Sequence, residues 1–242
     1  MSIQLYQFPI SHYCEKVRFA LDYKGLDYRT INLLPGRHRL TTTKIGQGSS
    51  VPVISHEGNG VQGSAKIITY LDENFPDKPL TPADPSRRGE AVAWEKWLDA
   101  EVGPDVRLLA YHSLMQHPEV LKSFFSDGVS WWSRQVLRFG YRKIVAKMRD
   151  HMGIDDAGAE AATTRVRAAV ERLQGEYEQR SFLVGGVFTR ADLAAAALLT
   201  PLFRPDNFPL EWPATPIEPL DSLVAEMEPR LEWARRFYRE FR

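Results

Sequence analysis

The sequence has little cysteine, no net charge and no long apolar run. Its 242 residues include a single cysteine, Cys14, so no intrachain disulfide can form and secretion is not indicated. The 31 Lys and Arg residues balance 31 Asp and Glu residues, so neither nucleic acid nor an anionic membrane is an expected partner. No segment approaches the roughly 18 to 20 apolar residues of a membrane span, and no signal peptide is evident at the start. We expect a cytoplasmic protein without a metal site.

The first third of the chain alternates strand and helix patterns, and 43% hydrophobic residues are enough for a buried core. Gly25 is suited to end the first helix and Ser64 to cap a later one. The expected order is β-α-β-(α)-β-β-α. Periodicity predicts strands at 3–8, 28–33, 51–54 and from 61 onwards, and helices at 15–24 and 64–74.

A proline-rich segment separates this part from a helical remainder. Four prolines between residues 75 and 86 indicate a stiff linker, which we place at 77–86. Beyond it, the pattern predicts an amphipathic helix at 165–177 and a buried, almost wholly apolar helix at 192–203. A proline-rich loop at 205–219 then leads to a last helix that ends near Tyr238.

The most informative segment is Ser11-His12-Tyr13-Cys14, between the first strand and the first helix. Its spacing is that of a Cys-x-x-Cys redox motif in which serine replaces the first cysteine. A serine cannot form a disulfide, but its hydroxyl can donate a hydrogen bond to a thiolate. The start of a helix also favours negative charge. The junction therefore predicts a site that activates a bound thiol instead of using its own.

Three motifs in order resemble the glutathione S-transferase superfamily. They are residues 5–18, similar to its first strand and active-site turn; Val51-Pro52, similar to its cis-proline; and residues 183–192, with Thr189 and Asp192 spaced as a capping box. The resemblance implies an α+β/α fold, with a thioredoxin-like βαβ-ββα glutathione-binding domain at 1–76 and an all-α helical-bundle domain at 87–242. It also implies glutathione as co-substrate and a two-fold homodimer.

The resemblance also implies roles for the turn. In serine-type members, the residue that matches Ser11 hydrogen-bonds the sulfur of glutathione, although Ser11 as a simple N-cap remains an alternative. Cys14, about one turn into the helix, is expected to be packed and inert. Other members use a tyrosine on the first strand at the position that Gln7 occupies here. Tyr6 is offset by one residue, so we expect it in the core.

Further residues are assigned to glutathione by the resemblance. The Val51 backbone, before Pro52, should pair with the cysteinyl backbone, and Ser64 at a helix start should hold a carboxylate. The acid that usually precedes this serine is Gly63 here, and Gln62 offers only a neutral acceptor. Losing that charge-assisted contact costs about 1.5–3 kcal/mol. The remaining candidates are Arg37, Lys44 and Ser50. The basic stretch has a second interpretation, as a solvated loop.

The helical half is expected to hold the electrophilic substrate. Candidate contacts are His12, Tyr13, Tyr111 and Met115. Aromatic residues at helical spacing also form cores, which is the alternative for this set. Trp131-Trp132 has three open interpretations, as a substrate wall, a dimer contact or packing.

Two functions follow from these residues. The first is a glutathione transferase, in which Ser11 stabilises the glutathione thiolate and the thiolate attacks a small hydrophobic electrophile. The second is a non-catalytic dimer that uses the fold as a protein-binding platform, and it is favoured by the missing acid at Gly63. A weaker third interpretation, a prostaglandin-E-synthase-like or metaxin-like relative, rests on the similarity of residues 12–17.

Overall fold

The computed structural model describes residues 2–242, and its first part is a four-stranded sheet with three helices. The strand order is β2-β1-β3-β4, with β1 parallel to β2 and antiparallel to β3, and β3 antiparallel to β4. The elements are β1 (Ile3–Gln7), α1 (His12–Lys24), β2 (Tyr28–Asn32), α2 (Arg39–Ile45), β3 (Val53–His56), β4 (Asn59–Gln62) and α3 (Ser64–Asn74). This is the expected βαβ-ββα arrangement, and Gly25 ends α1 with a positive φ of 67°.

Strand β1 corrects one expectation about the core. Ile3, Leu5 and Gln7 are the buried members of its alternating pattern, whereas Tyr6 is only half-buried. The Tyr6 hydroxyl donates to Gln4 Oε1 at 2.8 Å. The prediction that Tyr6 is a core residue was therefore wrong, because successive strand side chains alternate and its neighbours take the inner face.

Two element boundaries also differ from the sequence expectation. The third strand begins at Val53, after Pro52, because proline has no N–H to donate to a sheet. Ser64 is the first residue of α3 and not its cap. The N-cap position belongs to Gly63, with φ 94° and ψ 131°, and no side chain caps this helix.

The rest of the chain is helical. The helices are α4 (Pro85–Trp97), α5 (Gly103–Leu114), α6 (Pro118–Ser126), α7 (Trp131–Met152), α8 (Asp156–Gln179), α9 (Arg190–Leu198), α10 (Leu220–Met227) and α11 (Glu232–Phe241). A π-helical turn, Leu98–Val102, joins α4 to α5, and 3-10 turns follow α9 and α10 at Thr200–Leu202 and Glu228–Arg230. Together with the sheet part, this is the expected architecture, a sheet-and-helix part followed by an all-helical part.

The buried helix α9 stops earlier than expected. Its residues are buried throughout, as predicted, but the helix ends at Leu198 and not near Phe203. Pro201 has no N–H to continue the hydrogen-bond pattern, and the Thr200 hydroxyl donates to the Ala197 carbonyl at 2.9 Å. The expected capping box is present at its start: Asp192 Oδ2 accepts from the Thr189 amide at 2.9 Å.

Buried ion pairs connect the sheet part with the helices. Arg190 Nη2 lies 2.6 Å from Glu95 Oε2, and its guanidinium also donates to the Ala65 carbonyl on α3 at 2.9 Å. Lys16 on α1 lies 2.8 Å from both Glu95 and Asp99. Since α1 also packs against α9, one hydrophobic cluster extends through both parts.

Lys24 holds the start of the linker against the sheet part. Lys24 Nζ, in the last turn of α1, donates to the carbonyls of Phe75 at 2.8 Å and Asp77 at 3.0 Å. The same ammonium pairs with Asp72 on α3 at 2.9 Å. Among residues 2–242, no helix combines the length and apolar composition that crossing a membrane requires.

Candidate functional site

A cleft of about 530 Å³ lies between the sheet part and the helices, and we call it the central cleft. From the sheet part, it is lined by the β1–α1 turn, the loop before α2 and the loop before β3. From the helical part, it is lined by α5, α7 and the segment after α9. A large concave site between two parts of a fold is the usual place for a ligand.

Ser11 is at the edge of this cleft and also caps α1. Its backbone is extended, with φ −74° and ψ 119°, and its Oγ accepts a hydrogen bond from the Cys14 amide at 3.4 Å. The N-cap interpretation is therefore correct. It does not exclude the other role, because the cap uses a lone pair of the oxygen and not its O–H, for which the buried Cys14 thiol is a neighbouring acceptor.

His12 and Tyr13 also line the cleft, with ring centroids 4.7 Å apart. The Tyr13 hydroxyl donates to the Asp99 carbonyl at 2.7 Å. A Cβ at Gly103 would lie 2.5 Å from the Tyr13 hydroxyl oxygen. Glycine at 103 thus lets the ring approach α5 closely. Burial raises the pKa of Tyr13 to about 12, so its hydroxyl stays protonated.

His12 is buried and neutral. Burial, and then the charge of Arg107, lower the pKa of His12 to about 3. Its Nε2 is buried without a hydrogen-bond partner among the residues described. With so low a pKa, His12 is a poor base for a thiol.

Cys14 and Gln7 are both held inside the structure, away from the cleft lining. Cys14 is fully buried, and burial raises the pKa of its thiol, which fits the expected inert role. Gln7, at the position of a tyrosine in other members, donates to Asn32 at 3.0 Å and accepts from the Arg18 guanidinium. Neither residue lines the central cleft.

Arg107 is a cleft residue that the sequence did not reveal. It lies on α5, one helical turn before Tyr111, and both residues line the central cleft. Its Nε is buried without a partner, and no carboxylate pairs with its charge anywhere in residues 2–242. The spacing of four residues from Tyr111 is the one signal that could have identified it.

The loop before β3 presents Ser50 and Val51 to the cleft, and the Val51–Pro52 peptide bond is cis, as expected. Gln62 fixes this loop, because its Nε2 donates to the Ser50 carbonyl at 2.7 Å. The Gln62 side chain also fills the space against Gly46 and Gly48. Gln62 is thus engaged with the loop and does not extend towards the start of α3.

The start of α3 lies next to this loop but outside the lining of the central cleft. The Gly63 amide donates to the Pro52 carbonyl at 3.0 Å. No atom lies within 4 Å of where a Cβ at Gly63 would be, so the position is open. Ser64 is buried at the first turn of this helix, where free backbone N–H groups attract a carboxylate.

The basic loop contributes some of its expected residues. Arg37 and Arg39 are exposed and line the cleft, whereas Lys44 lies in the last turn of α2 and does not. His38 Nδ1 accepts from the Gly36 amide at 3.0 Å, and its ring meets Phe8 edge-on at 4.9 Å. Burial, and then Arg39, lower the pKa of His38.

The other predicted substrate residues are divided between cleft and core. Tyr111 and Met115 are both buried at 8% exposure in the cluster around α6, and of the two only Tyr111 lines the cleft. Trp131 and Trp132 are exposed at the start of α7, so the packing interpretation is wrong for them. Lys143 and Lys147, two cleft residues of α7, were not anticipated.

Comparisons with known proteins agree with this architecture. The family model "Glutathione S-transferase, N-terminal domain" matches residues 5–79, and "Glutathione S-transferase, C-terminal domain" matches residues 142–216. Glutathione S-transferase 1 of Dianthus caryophyllus is 29% identical over 155 residues, which is 62% of this chain and 67% of that protein. Protein LigF of a Sphingobium species is 26% identical over 220 residues, covering 86% of this chain and 82% of LigF.

Solved structures show the same fold at low identity. The beta-etherase LigF of Sphingobium superposes with a TM-score of 0.70 and 22% identity, over 99% of this chain and 96% of LigF. A glutathione S-transferase of Methylobacillus flagellatus with glutathione bound has a TM-score of 0.60 and 19% identity, over 99% and 95% of the two chains. Both halves are thus matched, and the chain belongs to the glutathione S-transferase superfamily.

Proposed function

We propose that this protein is a glutathione transferase in which Ser11 stabilises the glutathione thiolate and the thiolate attacks an electrophile in the central cleft. The observation that carries the proposal is the position of Ser11. Its hydroxyl lies at the cleft and at the N-terminus of the 13-residue helix α1, and the helix cap does not use its O–H. The cationic Arg107 lines the same cleft.

The energies are sufficient for this role. A free thiol has a pKa near ~8.5, and lowering it by about two units requires roughly 2.7 kcal/mol of preference for the anion. One hydroxyl donor to a charged acceptor supplies about 1.5–3 kcal/mol, and a helix start supplies up to about 1 kcal/mol. Arg107 adds a positive charge in the same cleft. His12 is neutral because its pKa is low, so it does not protonate the thiolate.

The chemistry needs no redox-active cysteine. The thiol proton leaves to solvent, the sulfur forms a bond with the electrophilic carbon, and the leaving group departs with its bonding electrons. Cys14 is buried and its pKa is raised, so it takes no part. Ser11 cannot form a mixed disulfide, which argues against a thiol reductase.

The proposed binding mode follows the loop before β3 and the start of α3. The Val51 backbone, next to cis Pro52, pairs with the cysteinyl backbone, and Ser64 with the first turn of α3 holds the γ-glutamyl carboxylate. Arg37, with Ser50 and the more distant Lys44, is assigned to the glycine end. Gly63 supplies no carboxylate for the ammonium group, so we expect weak binding of glutathione.

The test combines calorimetry with matched Ser11 variants. We expect glutathione to bind with a millimolar or tighter Kd, and Ser11→Ala to lower kcat/KM for conjugation about 10- to 100-fold, equivalent to about 1.5–3 kcal/mol. Ser11→Thr keeps the hydroxyl and the cap, so it should retain most of the activity. The electrophile panel should include β-aryl ethers, because the relative LigF is described as a beta-etherase. Full activity of Ser11→Ala would disprove the mechanism.

A second function is favoured by a surface feature. Trp131, Trp132 and Phe139 on α7 are 60%, 72% and 84% exposed, and large exposed aromatic groups are typical of interfaces. We propose the non-catalytic alternative in a specific form: a second copy of this chain covers α7, and the dimer acts as a binding platform. Helix α7 has six Lys or Arg residues and one Asp, so in a neutral chain the rest of the sequence carries a net negative charge, which favours contact of α7 with another part of a second copy.

These two functions are separable by measurement. Sedimentation of wild type and of Trp132→Ser/Phe139→Ser tests the dimer, which should dissociate in the double variant if α7 is the interface. Glutathione turnover that depends on Ser11 argues against the platform, whereas a dimer without any turnover supports it. A cytoplasmic location is part of the first proposal and rests on the family resemblance.

A further inference from the structure

We infer that the electrophile is an organic anion: an aromatic body that carries a carboxylate, with the carboxylate bound by Lys143 and Lys147. The inference rests on the proposed transferase function and identifies the class of its second substrate. A neutral hydrophobic electrophile, the expectation from the sequence, does not use the charges that the cleft presents.

The central cleft is cationic. Five Lys or Arg side chains line it, and no Asp or Glu does among the residues that the structure describes: Arg37, Arg39, Arg107, Lys143 and Lys147. None of the five takes part in an ion pair within residues 2–242, although sixteen such contacts occur elsewhere in the chain. The chain as a whole is neutral, so this concentration of positive charge is local.

Glutathione accounts for only part of this charge. Arg37 and Arg39 belong to the loop of the sheet part, where the proposed glutathione site lies. Lys143 and Lys147 belong to α7, in the helical part that is assigned to the second substrate. They are therefore available to an anion other than glutathione.

The two lysines form a pair on one face of α7. A separation of four residues places their side chains on the same face, where like charges weaken an isolated helix by about 0.2–0.5 kcal/mol. Val136 and Gly140 continue the same face into the cleft lining. Asp150, the one acidic residue of α7, follows Lys147 by three residues, but it does not line the cleft and forms no ion pair with Lys147 within residues 2–242. A bound carboxylate would offset the repulsion.

Apolar side chains beside the lysines define the rest of the ligand. Ile144 and Met148 follow them along α7, and Phe208 and Trp212 line the cleft from the segment after α9. Large apolar groups next to paired ammonium groups suit a flat aromatic ring with one anionic substituent. A fully hydrophobic ligand would leave both ammonium groups without a counterion, whereas a small inorganic anion would leave the apolar wall uncovered.

The test uses two electrophiles that differ by one carboxylate, a chlorodinitrobenzene and a chlorodinitrobenzoate. In both, the thiolate sulfur bonds to the ring carbon that carries chlorine, the carbon–chlorine bond breaks, and chloride leaves with the bonding electrons. Each kcat/KM is divided by the uncatalysed rate constant with free glutathione, which removes the difference in ring reactivity. We expect the normalised value to be several-fold higher for the benzoate.

The variants are Lys143→Gln/Lys147→Gln and, as a matched control, Arg142→Gln, which removes an exposed charge of the same helix outside the cleft lining. The double variant should lower the benzoate-to-benzene ratio about three- to tenfold, through the KM of the benzoate. Arg142→Gln should leave the ratio unchanged. An equal ratio for both electrophiles in wild type, an equal loss in the control, or a change confined to the KM of glutathione would overturn the inference.

A binding measurement separates this inference from the proposed function. Dinitrobenzoate and dinitrobenzene have no leaving group, so calorimetry of each with the wild-type protein and the double variant needs no turnover. Preferential binding of the benzoate that is lost in the double variant supports the anion site, even if no electrophile is conjugated. Equal binding of the two compounds contradicts it, even if Ser11-dependent conjugation is observed.

Discussion

The guanidinium carbon of Arg107 lies 6.0 Å from the centre of the Tyr13 ring, across the junction between α5 and the active-site turn. No carboxylate neutralises this arginine within residues 2–242. Its charge lowers the pKa of His12 and limits the rise in the pKa of Tyr13. Arg107 therefore adds positive potential beside His12 and Tyr13, in the cleft that Ser11 also lines.

Replacing Arg107 should weaken the thiolate. Arg107→Met keeps a long apolar side chain and removes the charge, so we expect the thiol pKa of bound glutathione to rise by about one unit and kcat/KM to fall about tenfold at neutral pH. The ultraviolet absorbance of the thiolate, followed against pH in the complex, measures the shift. Arg107→Lys restores the charge and should recover part of it, and an unchanged thiol pKa in Arg107→Met would show that the charge is irrelevant.

The buried His12 predicts a pH dependence of stability. The pKa of His12 is lowered from 6.5 to about 3, so between those values the unfolded chain binds a proton that the folded chain does not. Neutral His12 therefore does not reduce the free energy of unfolding above pH 6.5. As the pH falls from 6.5 towards 3, protonation of the unfolded chain lowers that free energy. Between pH 7 and pH 5, the free energy of unfolding should fall by about 2 kcal/mol more in wild type than in His12→Gln. Urea denaturation at both pH values measures this, and parallel losses in the two proteins would contradict it.

Adding the missing acid at position 63 should lower the stability of the protein and raise its affinity for glutathione. Gly63 has φ 94°, a conformation in which an L residue is strained by about 1–3 kcal/mol, although the space for a side chain is open. Gly63→Glu should lower the melting temperature and tighten glutathione binding. Gly63→Gln introduces similar strain without the charge and is the matched control. We expect a roughly tenfold lower Kd in the Glu variant than in the Gln variant by calorimetry; equal Kd values would show that the ammonium group is bound elsewhere.

The buried pair between Glu95 and Arg190 should be important for stability. Glu95 also pairs with Lys16, so Glu95→Gln leaves two buried cations with one fewer anion. We expect a loss of about 3 kcal/mol in the free energy of unfolding. Glu90→Gln is the control, because Glu90 is exposed and lies 3.6 Å from Arg180, and it should change stability by less than about 0.5 kcal/mol. Similar losses in both variants would indicate a general effect of removing acidic charge.

The sequence predicted the features that depend on neighbouring residues. The Ser11 turn, the cis proline at 52 and the Thr189–Asp192 capping box are each defined within a few residues, and each is present. Hydrophobic periodicity also identified the buried helix α9, although it did not include the effect of Pro201 on where that helix ends.

The features that were missed depend on segments distant in sequence. Arg107 becomes a site residue only because α5 packs against the active-site turn, and Lys143 and Lys147 only because that face of α7 borders the cleft. Gln62 is committed to the Ser50 carbonyl twelve residues away. The sequence showed that the acid is missing at position 63. It did not show that Gly63 has a positive φ, a backbone conformation that disfavours any side chain at this position.

Lys24 has a consequence for how ligands reach the cleft. Lys24 donates to the Phe75 and Asp77 carbonyls and pairs with Asp72. These contacts restrain the proline-containing linker against hinge motion. With the Lys16–Glu95 pair and the Arg190 bond to the Ala65 carbonyl also joining the two parts, the distance between the walls of the cleft is set by the scaffold. The width of the central cleft therefore limits which ligands fit. Ligands of different size are accommodated by rotamer changes of the long side chains on α7.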